Sequence, residues 1–254
     1  MEEKHSLLHS FLGLITFSTV IPLRVHTTLE NMTRLTWLWP FVHLFIGFLG
    51  ALIGYLCLDI LNFSSLLSGA IVYAFFLIIT GFNHIDGLMD MADAVMVHGD
   101  SAKKLRVMKD SIVGTGGITT FFIVALITVL TITNLLEFNF IVGIIIAEVA
   151  SKISLLTTCI CSASKNEGIG MHFIKSMNLI NYSISIIIFI AISYVIGGFA
   201  GIIGILGGVF AGALIALIAK YNFNVATGDV LGASNEFGRM ISLLAMVILF
   251  GVVL

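Results

Sequence analysis

The sequence predicts an all-α, polytopic integral-membrane protein, a helical bundle with about seven or eight transmembrane helices. Its 254 residues are 59% hydrophobic and 10% charged, and the mean hydropathy is +1.13. A soluble domain carries roughly 25% charged residues. Several apolar runs approach the roughly 20 residues with which a helix crosses a bilayer. Strands that alternate polar and apolar residues are absent from the sequence, so a helical bundle is expected rather than a β-barrel.

The apolar runs give the predicted elements in chain order. They lie at residues 38–61, 66–82, 112–136, 138–161, 179–197, 200–219 and 240–254. An earlier run, residues 7–23, is interrupted by Thr16, Ser18, Thr19 and Pro22. Three outcomes stay open for it: it spans the membrane, lies at the interface or re-enters. The first ten residues do not predict a signal peptide, because they are acidic and lack a small-residue cleavage site. No linker divides the chain, so residues 1–254 are expected to form one domain.

The basic residues indicate how the chain is oriented. Most of them fall in four long breaks between the runs, at residues 24–37, 83–111, 162–178 and 220–239. The predicted spans place all four breaks on one side of the membrane, and the positive-inside rule makes that side cytoplasmic. We therefore expect a multi-pass protein of the cell membrane with cytoplasmic polar loops. The net charge of −2 gives no indication of nucleic-acid binding, and the three cysteines lack the spacing of a disulfide or zinc framework.

The first polar segment is His84-Ile85-Asp86-Gly87-Leu88-Met89-Asp90-Met91-Ala92-Asp93. Asp86, Asp90 and Asp93 stand at i, i+4 and i+7, which stacks three carboxylates along one face of a helix. Like charges in this arrangement repel one another, whereas a divalent cation such as Mg²⁺ binds a few carboxylates together with substrate phosphates. A solvated loop has no need of the apolar residues between the acids, so the pattern favours a metal site. For His84, a structural hydrogen bond and a catalytic or ligand role both stay open.

The second polar segment is Met108-Lys109-Asp110-Ser111, followed by the glycine-rich residues 112–117. Lys109 is a candidate for neutralising a phosphate, and Asp110 is a candidate for joining the metal site. The glycines allow backbone amides to approach an anion at the start of the next helix. Taken alone, glycines at the start of a helix are more typical of a tight turn or of close helix packing than of an anion site.

The third polar segment is Thr227-Gly228-Asp229-Val230-Leu231-Gly232-Ala233-Ser234-Asn235-Glu236. Asp229 and Glu236 are seven residues apart and would share a helix face. Ionisable groups at or inside a membrane are functional candidates by default, and the alternative is a capping role for Asp229 or Asn235. Within one predicted span, Glu148 and Lys152 stand at i and i+4. Their simplest interpretation is mutual neutralisation, with a substrate role left open.

These three segments together resemble the cobalamin synthase family, the adenosylcobinamide-GDP ribazoletransferases. The family patterns G-x-x-H-x-D-G-L-x-D-x-x-D, M-K/R-D-S-x-x-G-T-x-G and T-G-D-x-L-G-A-x-x-E correspond to residues 81–93, 108–117 and 227–236. Early proline-containing segments at 17–22 and 39–43 also match, so the resemblance covers nearly the whole chain. One departure is Ala94, where the family usually has glycine.

The resemblance implies a reaction at the end of vitamin B12 assembly. A ribose hydroxyl of α-ribazole, or of its 5′-phosphate, attacks the cobinamide-linked phosphate of adenosylcobinamide-GDP, and GMP leaves. The resemblance implies Mg²⁺ as cofactor with Asp86, Asp90 and Asp93 as ligands, and catalytic roles for these acids and Asp110. The substrate-binding candidates are His84, Lys109, Ser111, Thr227, Asp229, Asn235 and Glu236. Membrane lipid is a further expected partner, and a homodimer is an open expectation.

Two other classes of membrane protein also fit part of the pattern. CDP-alcohol phosphotransferases resemble this chain in having an aspartate cluster at helical spacing, but no arginine follows Asp86-Gly87 as in their D-G-x-x-A-R element. An ion-coupled transporter would use the acids as a cation site, usually on broken helices near the bilayer midplane. Most acids here lie at or beyond the predicted span ends, with Glu148 the deep exception.

Overall fold

The computed structural model describes residues 7–25, 27–110, 112–165 and 167–253, and within them the chain folds into helices joined by short loops. The helices are α1 Leu7–Ser18, α2 Leu29–Thr33, α3 Trp39–Tyr55, α4 Ser65–Ile79, α5 Asn83–Met96, α6 Ser101–Val107, α7 Thr115–Glu137, α8 Val142–Cys161, α9 Ile169–Ser176, α10 Leu179–Phe223 and α11 Gly228–Val253. A 3₁₀ turn, Thr36–Leu38, precedes α3, and a π-helical turn, Leu56–Ile60, follows it. The predicted all-α class is confirmed.

Five segments are long and apolar enough to cross a membrane: Thr36–Ile60, Thr115–Glu137, Val142–Cys161, Leu179–Phe223 and Gly228–Gly251. Helices α4 and α5 meet at a bend of 91° and give a sixth span only if they are counted together. We treat α5 as lying outside the five spans, because it turns sharply away from α4 and carries three acids. The predicted number of seven or eight spans is therefore approximate.

The 45-residue α10 contains a reversal of the chain at Gly198. The backbone there has φ 58° and ψ −143°, a conformation that glycine adopts at little cost. A side chain at Gly201 would overlap the backbone carbonyl of Ser193, so the chain folds back tightly on itself. The reversal separates two apolar stretches, which correspond to the predicted spans at 179–197 and 200–219.

The ends of the chain differ most from the predicted boundaries. Helix α1 has 12 residues, about 18 Å of helix, and is too short to cross a hydrocarbon core of roughly 30 Å. Helix α11 begins at Gly228, whereas the last span was predicted from residue 240. Its first turns carry polar residues that the bundle buries, including Asn235, Glu236 and Arg239. From the polarity of the sequence, these residues are predicted to lie in the loop at 220–239.

Helix α8 forms the centre of the bundle. It packs against α3, α10 and α11, and most of its residues are buried. Helix α5 packs against α7 and α11 at one end of this core. Many large apolar side chains of α3, α7 and α10 remain exposed, as expected for surfaces that face lipid.

Candidate active site

A cavity of about 600 Å³ opens at the end of the bundle where α5, α9 and the start of α11 meet. Its size is within the range of small-molecule and cofactor sites. Five of the residues predicted for the site line this cavity: His84, Asp86, Lys109, Thr227 and Asp229. Residues from all three polar segments therefore come together, although up to about 150 residues of sequence separate them.

The carboxylates meet because two glycines allow the helices to approach closely. A Cβ atom at Gly87 would lie 2.7 Å from the carbonyl oxygen of Asp229, so α5 contacts the backbone of α11 directly. A Cβ atom at Gly170 would lie 2.5 Å from the amide nitrogen of Gly228, which places α9 against the same turn. Larger side chains at Gly87 and Gly170 would separate the three helices and widen the cavity floor.

Asp86, Asp90 and Asp229 form a group of mutually repelling carboxylates. Burial, and then the nearby charges of Asp86, Asp229 and Asp93, raise the pKa of Asp90 to about 7. A carboxyl group with such neighbours holds its proton near neutral pH unless a cation balances the charge. The cluster therefore has the charge that a divalent cation would compensate. Among the described residues, however, no three His, Cys, Asp or Glu side chains are already arranged as metal ligands.

The spacing of Asp93 predicts a metal ligand beside Asp86 and Asp90, but in the structure its carboxylate binds backbone amides. Its carboxylate accepts hydrogen bonds from the backbone amides of Gly114, at 2.6 Å, and Gly117, at 2.8 Å. It thereby satisfies amide groups at the start of α7 that no helical carbonyl can reach. The glycine-rich segment does bind an anion, as its composition indicates, but in this structure the anion is the protein's own carboxylate.

The other members of the second segment lie around the cavity entrance. Lys109 lines the cavity, and its Nζ lies 2.7 Å from Glu167 Oε1. Asp110 is exposed outside the cavity lining, where its carboxylate accepts a hydrogen bond from the backbone amide of Ile112. Ser111 lies outside the described residues.

The third segment divides between the cavity and the core. Thr227 donates a hydrogen bond to Asp229 Oδ2 at 3.2 Å, and both line the cavity. Asn235 and Glu236 lie two turns deeper and are fully buried. Glu236 accepts hydrogen bonds from Arg239, at 2.5 Å, from Tyr73, at 3.3 Å, and from Asn235. The structure thus separates Asn235 and Glu236 from the cavity that Asp229 faces.

The buried Glu148 and Lys152 do not neutralise each other directly. Glu148 accepts hydrogen bonds from Arg239 and from His43, whose Nδ1 lies 3.0 Å from Glu148 Oε2. Lys152 instead lies 2.9 Å from His84 Nε2 and 4.4 Å from the centre of the Trp39 ring. The two side chains therefore have different hydrogen-bond partners, although the negative charge of Glu148 still favours the positive charge of Lys152. His43, Tyr73 and Arg239 were missed, although a charged arginine before an apolar run was a usable signal.

Aromatic rings form the wall of the cavity beside Lys152. Trp39 and Phe173 stack with ring centres 4.7 Å apart, and Phe17 lies 5.1 Å from Phe173. All three rings line the cavity. The indole nitrogen of Trp39 donates to Ser18, which fixes the end of α1 to α3. The cavity therefore combines an acidic floor and an apolar aromatic wall with a lysine-rich rim, which suits a large ligand carrying phosphate groups.

Comparison with known proteins gives one consistent family. The family described as cobalamin-5-phosphate synthase matches residues 10–247. A Clostridium botulinum protein named adenosylcobinamide-GDP ribazoletransferase is 32% identical and covers 96% of this chain and 99% of its own length. A protein of the same name from Pyrococcus abyssi is 32% identical and covers 89% of this chain and 93% of its own length. One from Methanococcoides burtonii is 27% identical and covers 87% of this chain and 84% of its own length. No solved structure matches the chain.

Proposed function

The chain belongs to the cobalamin-5-phosphate synthase family, and we propose that its acidic cavity joins adenosylcobinamide-GDP to α-ribazole or α-ribazole 5′-phosphate. The product is adenosylcobalamin or its 5′-phosphate, and GMP is released. This is the assembly step of the nucleotide loop in cobalamin biosynthesis. The observation that carries the assignment of the site is the convergence of His84, Asp86, Lys109, Thr227 and Asp229 on one cavity.

The reaction is phosphoryl transfer to an alcohol. An oxygen of the ribose attacks the phosphorus linked to cobinamide, the phosphoanhydride bond breaks, and the bridging oxygen leaves with GMP. The attacking hydroxyl loses its proton to a base. Asp86, Asp229 and Glu167 are the carboxylates that line the cavity, and Glu167 is paired with two lysines at the rim. We therefore propose Asp86 or Asp229 as the group that accepts the proton. Asp110 is a weaker candidate because it lies outside the cavity lining.

The carboxylates of Asp86, Asp90 and Asp229 are donors of the type that Mg²⁺ takes in proteins. We propose that Asp86 and Asp90 hold it together with Asp229, since the Asp93 carboxylate is already engaged by two backbone amides. The mutual repulsion that raises the pKa of Asp90 supports a cation at this position. When bound, Mg²⁺ would neutralise phosphate charge that develops during transfer.

The remaining residues position the substrates. Lys109 at the rim supplies a positive charge for a phosphate. Lys152 Nζ lies 2.9 Å from His84 Nε2, and this hydrogen bond orients the imidazole at the cavity wall. Phe17, Trp39 and Phe173 provide an apolar surface for a planar ring of a substrate. Glu236 acts from inside the core, where it binds Arg239 and Tyr73 rather than substrate, and Asn235 donates to Glu236.

The protein is a multi-pass membrane protein, and we propose that the cavity opens to the cytoplasm, which holds nucleotides and Mg²⁺. The excess of lysine and arginine in the segments around the cavity supports this orientation. Neither the CDP-alcohol phosphotransferase nor the ion-coupled transporter has a specific observation in its favour.

The test is GMP release by detergent-purified protein supplied with both substrates, in Mg²⁺ and in EDTA. We expect release to require both substrates and the metal. Asp86→Asn should reduce the rate at least about a hundredfold, consistent with loss of a proton acceptor or metal ligand. Full activity of Asp86→Asn in Mg²⁺ would refute the assignment of the acidic floor.

A further inference from the structure

Two lysines at the rim of the cavity share one carboxylate oxygen. Glu167 Oε1 lies 2.7 Å from Lys109 Nζ and 2.6 Å from Lys165 Nζ. All three residues line the cavity, and Glu167 is 58% exposed. An exposed ion pair adds little to stability, so two lysines brought together here from distant segments need another explanation. The hydrogen bonds and charges of Lys109 and Lys165 lower the pKa of Glu167 to about 2, so the carboxylate is anionic at neutral pH.

Backbone hydrogen bonds hold Lys165 beside the start of the third polar segment. The amide of Lys165 donates to the carbonyl of Ala226, and the amide of Ala226 donates to the carbonyl of Ala163. Residues 163–165 therefore run alongside the segment that leads into Thr227 and Asp229. Lys165 is held at the rim by its main chain, and its ammonium group pairs with the exposed carboxylate of Glu167.

The start of α9 lies at the same rim. Its N-cap is Gly168, which provides no side-chain hydrogen bond, and Gly168, Ile169 and Gly170 all line the cavity. The first amides of a helix favour an anion, both through unpaired N–H groups and through the helix dipole. Two ammonium groups and an uncapped helix start therefore face a single volume, and the Glu167 carboxylate lies between the ammonium groups.

We propose that Lys109, Lys165 and the start of α9 form a binding site for a phosphomonoester, the 5′-phosphate of α-ribazole 5′-phosphate, and that Glu167 occupies this site until the substrate displaces it. The proposal rests on the proposed function. A phosphomonoester carries up to two negative charges near neutral pH, which matches two ammonium groups better than one carboxylate does. The diphosphate of adenosylcobinamide-GDP is assigned to the acidic floor with its cation, so each substrate has a separate anion site.

The experiment compares two nucleosides that differ only in the phosphate. Rates of GMP release give the KM for α-ribazole 5′-phosphate, α-ribazole and adenosylcobinamide-GDP in the wild type and in Lys165→Ala, Glu167→Gln and Lys175→Ala. Lys175 is the matched control, because it lies on α9, is exposed and is outside the cavity lining. Binding of each nucleoside alone is measured in parallel by microscale thermophoresis.

We expect Lys165→Ala to raise the KM for α-ribazole 5′-phosphate roughly tenfold, as for loss of a charged hydrogen bond. The KM values for α-ribazole and adenosylcobinamide-GDP should change less than about twofold. Glu167→Gln should lower the KM for the phosphorylated nucleoside about threefold, because the competing anion is removed. Lys175→Ala should leave all three KM values unchanged.

An equal rise in KM for both nucleosides, or a rise confined to adenosylcobinamide-GDP, would overturn the proposal. If the wild type released no GMP with either nucleoside, the proposed function would fail instead. The binding measurements would then decide the inference alone. A preference for the phosphorylated nucleoside that Lys165→Ala abolishes would support it, and equal binding of both nucleosides would refute it.

Discussion

The carboxylate of Asp93 on α5 accepts a hydrogen bond of 2.6 Å from the backbone amide of Gly114, at the start of α7. A second amide, that of Gly117, donates to the other carboxylate oxygen. One residue of the aspartate motif therefore joins two helices, whereas Asp86 faces the cavity. Substitutions of Asp93 and of Asp86 are therefore expected to have different effects, although both residues lie on α5.

Asp93→Ala is expected to lower the stability of the fold and to leave the response to Mg²⁺ nearly unchanged. Loss of a side chain that satisfies helix-start amides costs about 1–2 kcal/mol. We expect a lower Tm in detergent, while the Mg²⁺ concentration that gives half-maximal rate stays close to that of the wild type. Asp90→Asn should show the opposite result, with a shifted Mg²⁺ requirement. A large shift in the Mg²⁺ requirement of Asp93→Ala would restore Asp93 as a metal ligand.

Gly87→Ala is expected to impair catalysis by separating α5 from α11. The added methyl group would meet the Asp229 backbone at 2.7 to 2.8 Å, and backbone atoms yield only if the helices move. We expect a loss of at least about tenfold in kcat/KM, since small displacements of reacting groups are costly. The control is Gly251→Ala in α11, where nothing lies within 4 Å of the added carbon. Equal activity of both variants would show that the close approach is dispensable.

Arg239→Met is expected to destabilise the bundle. Arg239 contacts Glu148 and Glu236, and all three side chains are almost fully buried. Removing one partner of a buried ionic network typically costs about 3–5 kcal/mol. The measurement is Tm and yield of folded protein in detergent. Adding Glu148→Gln and Glu236→Gln to Arg239→Met should recover part of the loss, because the two buried carboxylates that lose Arg239 are then no longer charged. If the single variant unfolds like the wild type, the network contributes little.

The stability of the metal-free protein is expected to fall as pH rises from about 4 to 7. Asp90 has a folded-state pKa raised to about 7, above its ordinary value of 3.8. Between these values the folded state binds a proton that the unfolded state has lost, so stability declines with rising pH. Asp90→Asn should flatten this dependence in EDTA. Unfolding curves at pH 5 and pH 8 measure it, and an identical dependence in wild type and Asp90→Asn would contradict it.

The sequence predicted the membrane class, the three motifs and the five residues that share the cavity, because these depend on composition and local spacing. It did not predict which carboxylates meet. Helical periodicity placed Asp93 with Asp86, but the position of α7 decides its partner. The same periodicity predicts that Glu236 lies beside Asp229, but in the structure Glu236 is buried in the core, where it binds Arg239. Glu167 and Lys165 gave no sequence signal, because they meet Lys109 only in the folded chain.

The reversal at Gly198 bears on how the chain is built into the bilayer. The two halves of α10 are joined by a turn without a polar loop, and Ser193 and Gly201 already lie against each other across it. We therefore expect the two halves to enter the lipid together, as one helical hairpin. A side chain at Gly198 or Gly201 would then disturb membrane insertion, although both positions lie far from the cavity.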